Sequence, residues 1–130
     1  MKTPFVNKSH GMRKYDKLCC DIFDIEQNIR FAAVYDKDFE RKAGGIRKGV
    51  DSYFSKDQLR DAILQQFKGW ATFMVLRKQV GEPQYSVIKY DRAILATFFL
   101  NVNELLFVSF EPIVDLDNTI RKIQSRLMNL

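Results

Sequence analysis

The sequence predicts an α/β (α+β) fold in which one five-stranded antiparallel sheet carries helices on both faces, in the order helix, strand, strand, helix, strand, strand, strand, helix. Three observations lead there. The stretch Ala93–Phe110 reads as two strands joined by a polar turn at Asn101–Glu104, and both of its alternating sets are apolar: Ile94, Ala96, Phe98 and Leu100 on one side, Leu95, Thr97 and Phe99 on the other. A sheet with two such faces needs cover on each. Ser55 and Gln58 form an S-x-x-Q capping box, with Phe54 and Leu59 as its hydrophobic staple, so a long helix starts at Lys56. Period-two segments then fall on either side of that helix, two before it and three from Tyr85 onward.

Residues 1–11 contain Pro4, Asn7, Ser9 and Gly11 with no period, and are expected to be a basic, flexible arm. Their deletion should leave stability nearly unchanged. Residues 12–130 are expected to form a single domain, since 130 residues are enough for one core without staples. The first helix is predicted over about Met12–Asp24, with Tyr15, Leu18, Cys19 and Ile22 on its buried face and Cys20 toward the flank. Adjacent cysteines suit neither a disulfide nor a C-x-x-C site, so both should be reduced thiols.

Ile29–Tyr35 is the first strand and Asp36–Asp38 the turn. Phe39–Ile46 is a second strand, which its charges and Gly44–Gly45 mark as a sheet edge. The segment GGIRKG lacks the spacing of a phosphate loop and reads as a strand bulge. The helix from Lys56 extends to about Val80, before Gly81 and Pro83. Leu59, Ile63, Phe67, Trp70 and Met74 fall within an arc of about 80° at 100° per residue, which is the face for the sheet. Leu64, Ala71 and Val75 widen that face on one flank, and Ala62, Phe73 and Leu76 on the other. One sheet does not need so broad a stripe. Tyr85–Tyr90 is the third strand. The last helix starts from Asp115 or Asp117 as cap, with Leu116, Ile120, Ile123, Leu127 and Leu130 in one stripe.

The chain is 46% hydrophobic and 28% charged, with a net charge of +5. Lys2, Lys8, Arg13 and Lys14 place +4 of this in residues 1–14, leaving +1 for the remaining 116. The basicity therefore belongs to the arm. Nucleic-acid binding would require that arm to join Arg41, Lys42, Arg47 and Lys48 in one patch, and a solvated tail is preferred. No run approaches a membrane span and Met1–Val6 is no secretory signal, so the expected location is cytoplasmic. The single histidine, His10, lies in the arm, which leaves no histidine-based triad or metal cluster. Asp115 and Asp117 lack the glycine and distal glutamate of a calcium loop. No catalytic residue, metal or cofactor is expected.

FAAVYDKDFERKAGG at Phe31–Gly45 and the apolar hairpin Ile94–Phe110 running into a final helix resemble the roadblock family (dynein light chain type) and, more widely, roadblock, longin and profilin-like folds, short archaeal proteins included. The resemblance covers about Met12–Leu130. It implies a small non-catalytic homodimer or heterodimer that serves as a scaffold for other proteins, often small Ras-like GTPases whose activity it regulates. The surplus apolar surface of the long helix, with the third strand at a sheet edge, makes Leu64, Phe73, Val75, Leu76, Tyr85 and Val87 the expected protein interface. A small-molecule sensor of profilin or PAS-like architecture, its pocket lined by some of the seventeen aromatic residues, is the alternative, with nucleic-acid binding through the arm behind it.

Overall fold

The computed structural model describes Pro4, Phe5 and residues 13–130. Its elements are α1 (Lys14–Ile25), β1 (Ile29–Asp36), β2 (Arg41–Ile46), α2 (Lys56–Phe73), a 3-10 turn (Met74–Leu76), the one-turn α3 (Arg77–Val80), β3 (Tyr85–Lys89), β4 (Ile94–Asn101), β5 (Glu104–Phe110) and α4 (Leu116–Met128). All five strands form one antiparallel sheet in the order β2-β1-β5-β4-β3. The predicted architecture is the observed one.

The apolar hairpin β4–β5 sits at the middle of this sheet for the reason its pattern gave. Ile94, Ala96, Phe98, Leu106, Val108 and Phe110 face α1 and α4, while Leu95, Leu105 and Phe107 face α2. Stripe residues of α1 (Leu18, Cys19, Ile22) and α4 (Ile120, Ile123) close the first face, and all five are buried. Asp115 caps α4, accepting a hydrogen bond from the Asn118 amide at 3.4 Å. Cys20 is buried beside Cys19 rather than standing at a flank, and both are free thiols. Burial pushes the pKa of each upward.

The edge strand β2 starts at Arg41, two residues later than its pattern suggests, because Asp36 organises the turn before it. Its carboxylate accepts from the amides of Asp38 and Glu40, both at 2.9 Å, and the carbonyl of Asp36 accepts from Phe39. The register shift lies at Lys42, upstream of the glycines, not within GGIRKG. Gly44 serves packing instead. At its φ of +85°, a Cβ would stand 2.1 Å from the Ala32 carbonyl oxygen and 2.9 Å from Cys19 Sγ. Only a glycine lets α1 lie this close to the edge.

The arm is attached where it is described. Phe5 is fully buried, its ring 5.7 Å from Phe23, and it pairs with Arg47 in an antiparallel bridge, while the Lys48 amide donates to the Pro4 carbonyl. The expectation of a loosely attached arm does not hold at these two residues. No local period could signal it, because the bridge partner Arg47 lies 42 residues further on. The remainder of the arm, including His10 and the expected helix start at Met12, lies outside the described residues.

Candidate functional site

Helix α2 begins as its sequence directs. Ser55 Oγ accepts from the Gln58 amide at 3.1 Å, and Gln58 Oε1 accepts from the Ser55 amide at 2.9 Å. Along the predicted sheet face, however, only Ile63 is fully buried, while Leu59, Phe67, Trp70 and Met74 are half-buried. One helix covers the middle of a five-stranded face and leaves both margins open. A groove follows at each margin.

At the β3 margin, a groove of about 450 Å³ is bordered by Trp70 and Phe73 of α2, Pro83, Ser86 and Ile88 of β3 and its approach, and Phe99 of β4. The Trp70 indole stacks on the Phe99 ring at 4.5 Å and 16°. Its Nε1–H is shielded from water and has no acceptor among the described residues, a deficit that ordinarily costs about 1–3 kcal/mol. Ser86 Oγ donates to Gln66 Oε1 at 2.9 Å and ties β3 to the helix.

The expected continuous helix to Val80 is broken here. α2 ends at Phe73, the chain tightens into a 3-10 turn, and a single α-turn follows. At three residues per turn, positions i and i+3 align. Phe73 and Leu76, placed on one flank by the helical count, therefore remain on one side, 63% and 50% exposed, with Val75 at 75%. Tyr85 and Ile88, 44% and 45% exposed, belong to the sheet edge beside them.

Of the six residues expected at an interface, Phe73 lines this groove, Tyr85 borders it at the sheet edge with its ring 5.6 Å from Phe98 on the opposite face, and Val75 and Leu76 are exposed just beyond Phe73 in the chain. Leu64 is half-buried higher on α2 and does not line it. Val87 is on the other side of the sheet: it pairs with Ala96 and packs against the cluster that α1 and α4 cover. Ile88, which follows it, takes the groove-facing place. The alternation was legible; which alternate faces α2 is set by the β3–β4 register.

The second groove, of about 380 Å³, lies at the β2 margin between the β1–β2 turn and the start of α2. Tyr35 and Phe39 stack there at 4.9 Å and 1°, and Phe31 lies 6.5 Å from Tyr35. Phe39 holds this position at φ +61°, a left-handed backbone that non-glycine residues adopt at a cost of about 1–2 kcal/mol. The adjoining loop is clamped by Arg30, which pairs with Glu111, donates to the Asp51 carbonyl at 2.6 Å and covers the Tyr53 ring at 4.0 Å.

Two of the four cations that nucleic-acid binding would join to the arm, Arg47 and Lys42, are engaged within the described fold. The Arg47 guanidinium donates to the carbonyls of Phe23, Glu26 and Ile29 at 3.1, 3.0 and 2.7 Å, closing the end of α1, and Lys42 pairs with Asp36 and Glu40. Among the described residues no group of three or more His, Cys, Asp or Glu side chains is placed to hold a metal ion. Nor is any described helix long and apolar enough to cross a membrane.

No family model matches the sequence, and no curated protein matches it. Solved structures do. The chain is similar to an MglB with a tetrameric arrangement, at 15% identity and TM-score 0.71 over 100% of this chain and 94% of that one. It is also similar to MglB of Myxococcus xanthus, at 12% identity and TM-score 0.66 over 92% and 93%. A Roadblock/LC7 domain from Streptomyces avermitilis matches at 13% identity and TM-score 0.61 over 88% and 92%. At such identities the likeness is one of fold, and the chain has the roadblock/LC7 fold.

Proposed function

We propose that this chain is a non-catalytic, cytoplasmic, dimeric platform for other proteins, and that a small Ras-like GTPase is the partner it regulates. The observation that carries the reading is the β3 margin, where Phe73 borders a largely apolar groove, Val75 and Leu76 are exposed just after it in the chain, and β3 has no neighbour on its outer side among the described residues. Contiguous apolar surface of this kind marks protein contacts. An edge strand with unpaired backbone groups accepts another strand.

A two-fold-related copy meets both needs at once. It would extend the sheet through β3, cover Phe73, Val75, Leu76, Tyr85 and Ile88 with the same residues of its own, and bring an acceptor to the Trp70 indole. Leu64 would lie at the margin of that contact. Self-association has a counterpart among the fold relatives in the MglB with a tetrameric arrangement. The GTPase enters through the partner class that the resemblance to roadblock proteins implies.

The test is the oligomeric state. Light scattering at tens of micromolar should give a dimer for the unaltered chain and a folded monomer for Phe73→Glu/Leu76→Glu, since charges buried at an apolar contact cost several kcal/mol. A monomeric unaltered protein overturns the dimer. A double variant that unfolds would show both residues to be part of the core. Binding of the dimer to small GTPases of its native cell, loaded in turn with GDP and a GTP analogue, then tests the partner.

A further inference from the structure

The groove at the β2 margin has a chemical character that the β3 margin lacks. Its walls are aromatic (Phe31, Tyr35, Phe39 and Phe54), and the charged side chains lining it, Arg41 and Lys56, are both cationic. Neither makes an ion pair among the described residues. The acids next to them in sequence are engaged elsewhere: Glu40 pairs with Lys42 at 3.7 Å, and Asp57 with Arg60 at 3.5 Å. Arg41 lies close enough to Tyr35 for its charge to oppose the rise in pKa that burial gives the phenol. Aromatic walls and unpaired cations thus share one opening, and no carboxylate lines it.

From this juxtaposition we infer that the β2 margin is a second docking site, for an acidic segment of a partner protein that presents Asp or Glu beside a bulky apolar side chain. The apolar side chain enters against the Tyr35–Phe39 stack, and the carboxylate meets Arg41 and Lys56. Arg41, Phe54, Ser55 and Lys56 at the rim are all exposed, so a ligand here keeps one side in water. That suits a chain segment laid across the surface better than a small molecule, which sites usually enclose over most of its area. The inference deepens the platform reading, on which it rests for the nature of the partner. Its place differs, because β2 and β3 are opposite edges of the sheet and dimerisation through β3 leaves this groove free.

A phage-displayed random peptide library selected on the full-length chain tests it. Enriched peptides should carry Asp or Glu next to Phe, Trp or Leu. A fluorescein-labelled copy of the leading peptide should bind at least about tenfold more weakly to Arg41→Gln/Lys56→Gln, and equally more weakly when its own acids are replaced by Gln. The charge-conserving Arg41→Lys/Lys56→Arg pair should retain binding, which separates lost charge from a damaged fold. Phe73→Glu/Leu76→Glu should also retain it, so a failed dimer and a failed groove give different results. Absence of enrichment, enrichment without acids, or affinity unchanged by Arg41→Gln/Lys56→Gln overturns the inference. So does saturable binding of 8-anilinonaphthalene-1-sulfonate that needs Arg41 and Lys56 while no peptide is enriched, since the occupant would then be a small aromatic anion.

Discussion

Removing the Phe5 ring tests whether the amino-terminal segment is part of the folded core. In Phe5→Ala the lost group is a fully buried side chain in the cluster that includes Phe23 and Ile22. Truncating a buried Phe to Ala costs about 3–5 kcal/mol. Two effects reduce that figure. The site is formed by a terminal segment that can leave rather than maintain a cavity, and each residue released recovers about 1–2 kcal/mol of backbone entropy. Pro4 recovers little, its φ being fixed by the ring, so the entropy regained at Phe5 leaves a net loss of about 1–4 kcal/mol. With about 3–6 °C lost per kcal/mol in a domain of this size, the melting temperature should fall by about 5–15 °C. Differential scanning calorimetry of the variant, of Phe5→Leu and of a chain lacking residues 1–11 makes the comparison. Phe5→Leu should lose least, and the deletion should resemble Phe5→Ala. A shift below about 2 °C for both Phe5→Ala and the deletion would refute the reasoning, because the bridge to Arg47 would then contribute nothing to the folded state.

Tyr15 donates to Glu104 Oε1 at 2.7 Å, and Asn101 Nδ2 donates to the same oxygen at 2.9 Å. Burial and that carboxylate push the Tyr15 pKa up to about 12 from 10.0, so its contribution to stability is complete below pH 10 and is lost as pH rises toward 12. Tyr15→Phe should cost about 1 kcal/mol in chemical denaturation at pH 8, with the gap narrowing above pH 10; a gap that stays constant would contradict the hydrogen bond. The bonds from Asn101 and Tyr15 hold the Glu104 pKa down. Asp36 is also lowered, the amides of Glu40 and Asp38 and the Lys42 ammonium outweighing the opposing effect of burial. Both therefore stabilise the protein above the ordinary carboxylate range, and stability measured by denaturant should decline as pH falls through their lowered values. Gly44→Ala should abolish soluble folded protein, whereas Gly49→Ala, also at positive φ but with open space around it, should cost only about 1–2 kcal/mol; equal melting temperatures for the two would refute the packing argument.

Much of the candidate site was legible as a surplus. The breadth of the apolar stripe on α2 announced that one sheet would not cover it, and Phe73, Val75 and Leu76 are exposed accordingly. What the stripe could not show is the tightening at Met74–Leu76, because apolar spacing continues through it without interruption. The β2 groove went unread for a different reason. Its aromatic residues looked like ordinary alternation in β1 and a staple before α2, while Arg41 read as an edge-strand charge or part of a nucleic-acid patch and Lys56 only as the first residue of α2. They become one site only when β1, β2 and the start of α2 are brought together.

The sequence by itself determined the elements and the layers. Two apolar sets in one hairpin require cover on both faces, a capping box sets the start of α2, and single stripes on α1 and α4 send them to a common face. These are properties of neighbours along the chain, read at periods of 2 and 3.6 residues. The tertiary structure decided what depends on residues far apart. It fixed which side of β3 meets α2, so that Ile88 rather than Val87 borders the groove, through a register set by pairing with β4. It placed Phe5 beside Arg47, gave Gly44 its close approach to Cys19, and brought Arg41 and Lys56 to one groove with no carboxylate partner among the described residues, because steric and electrostatic complementarity act through space and leave no period in the chain.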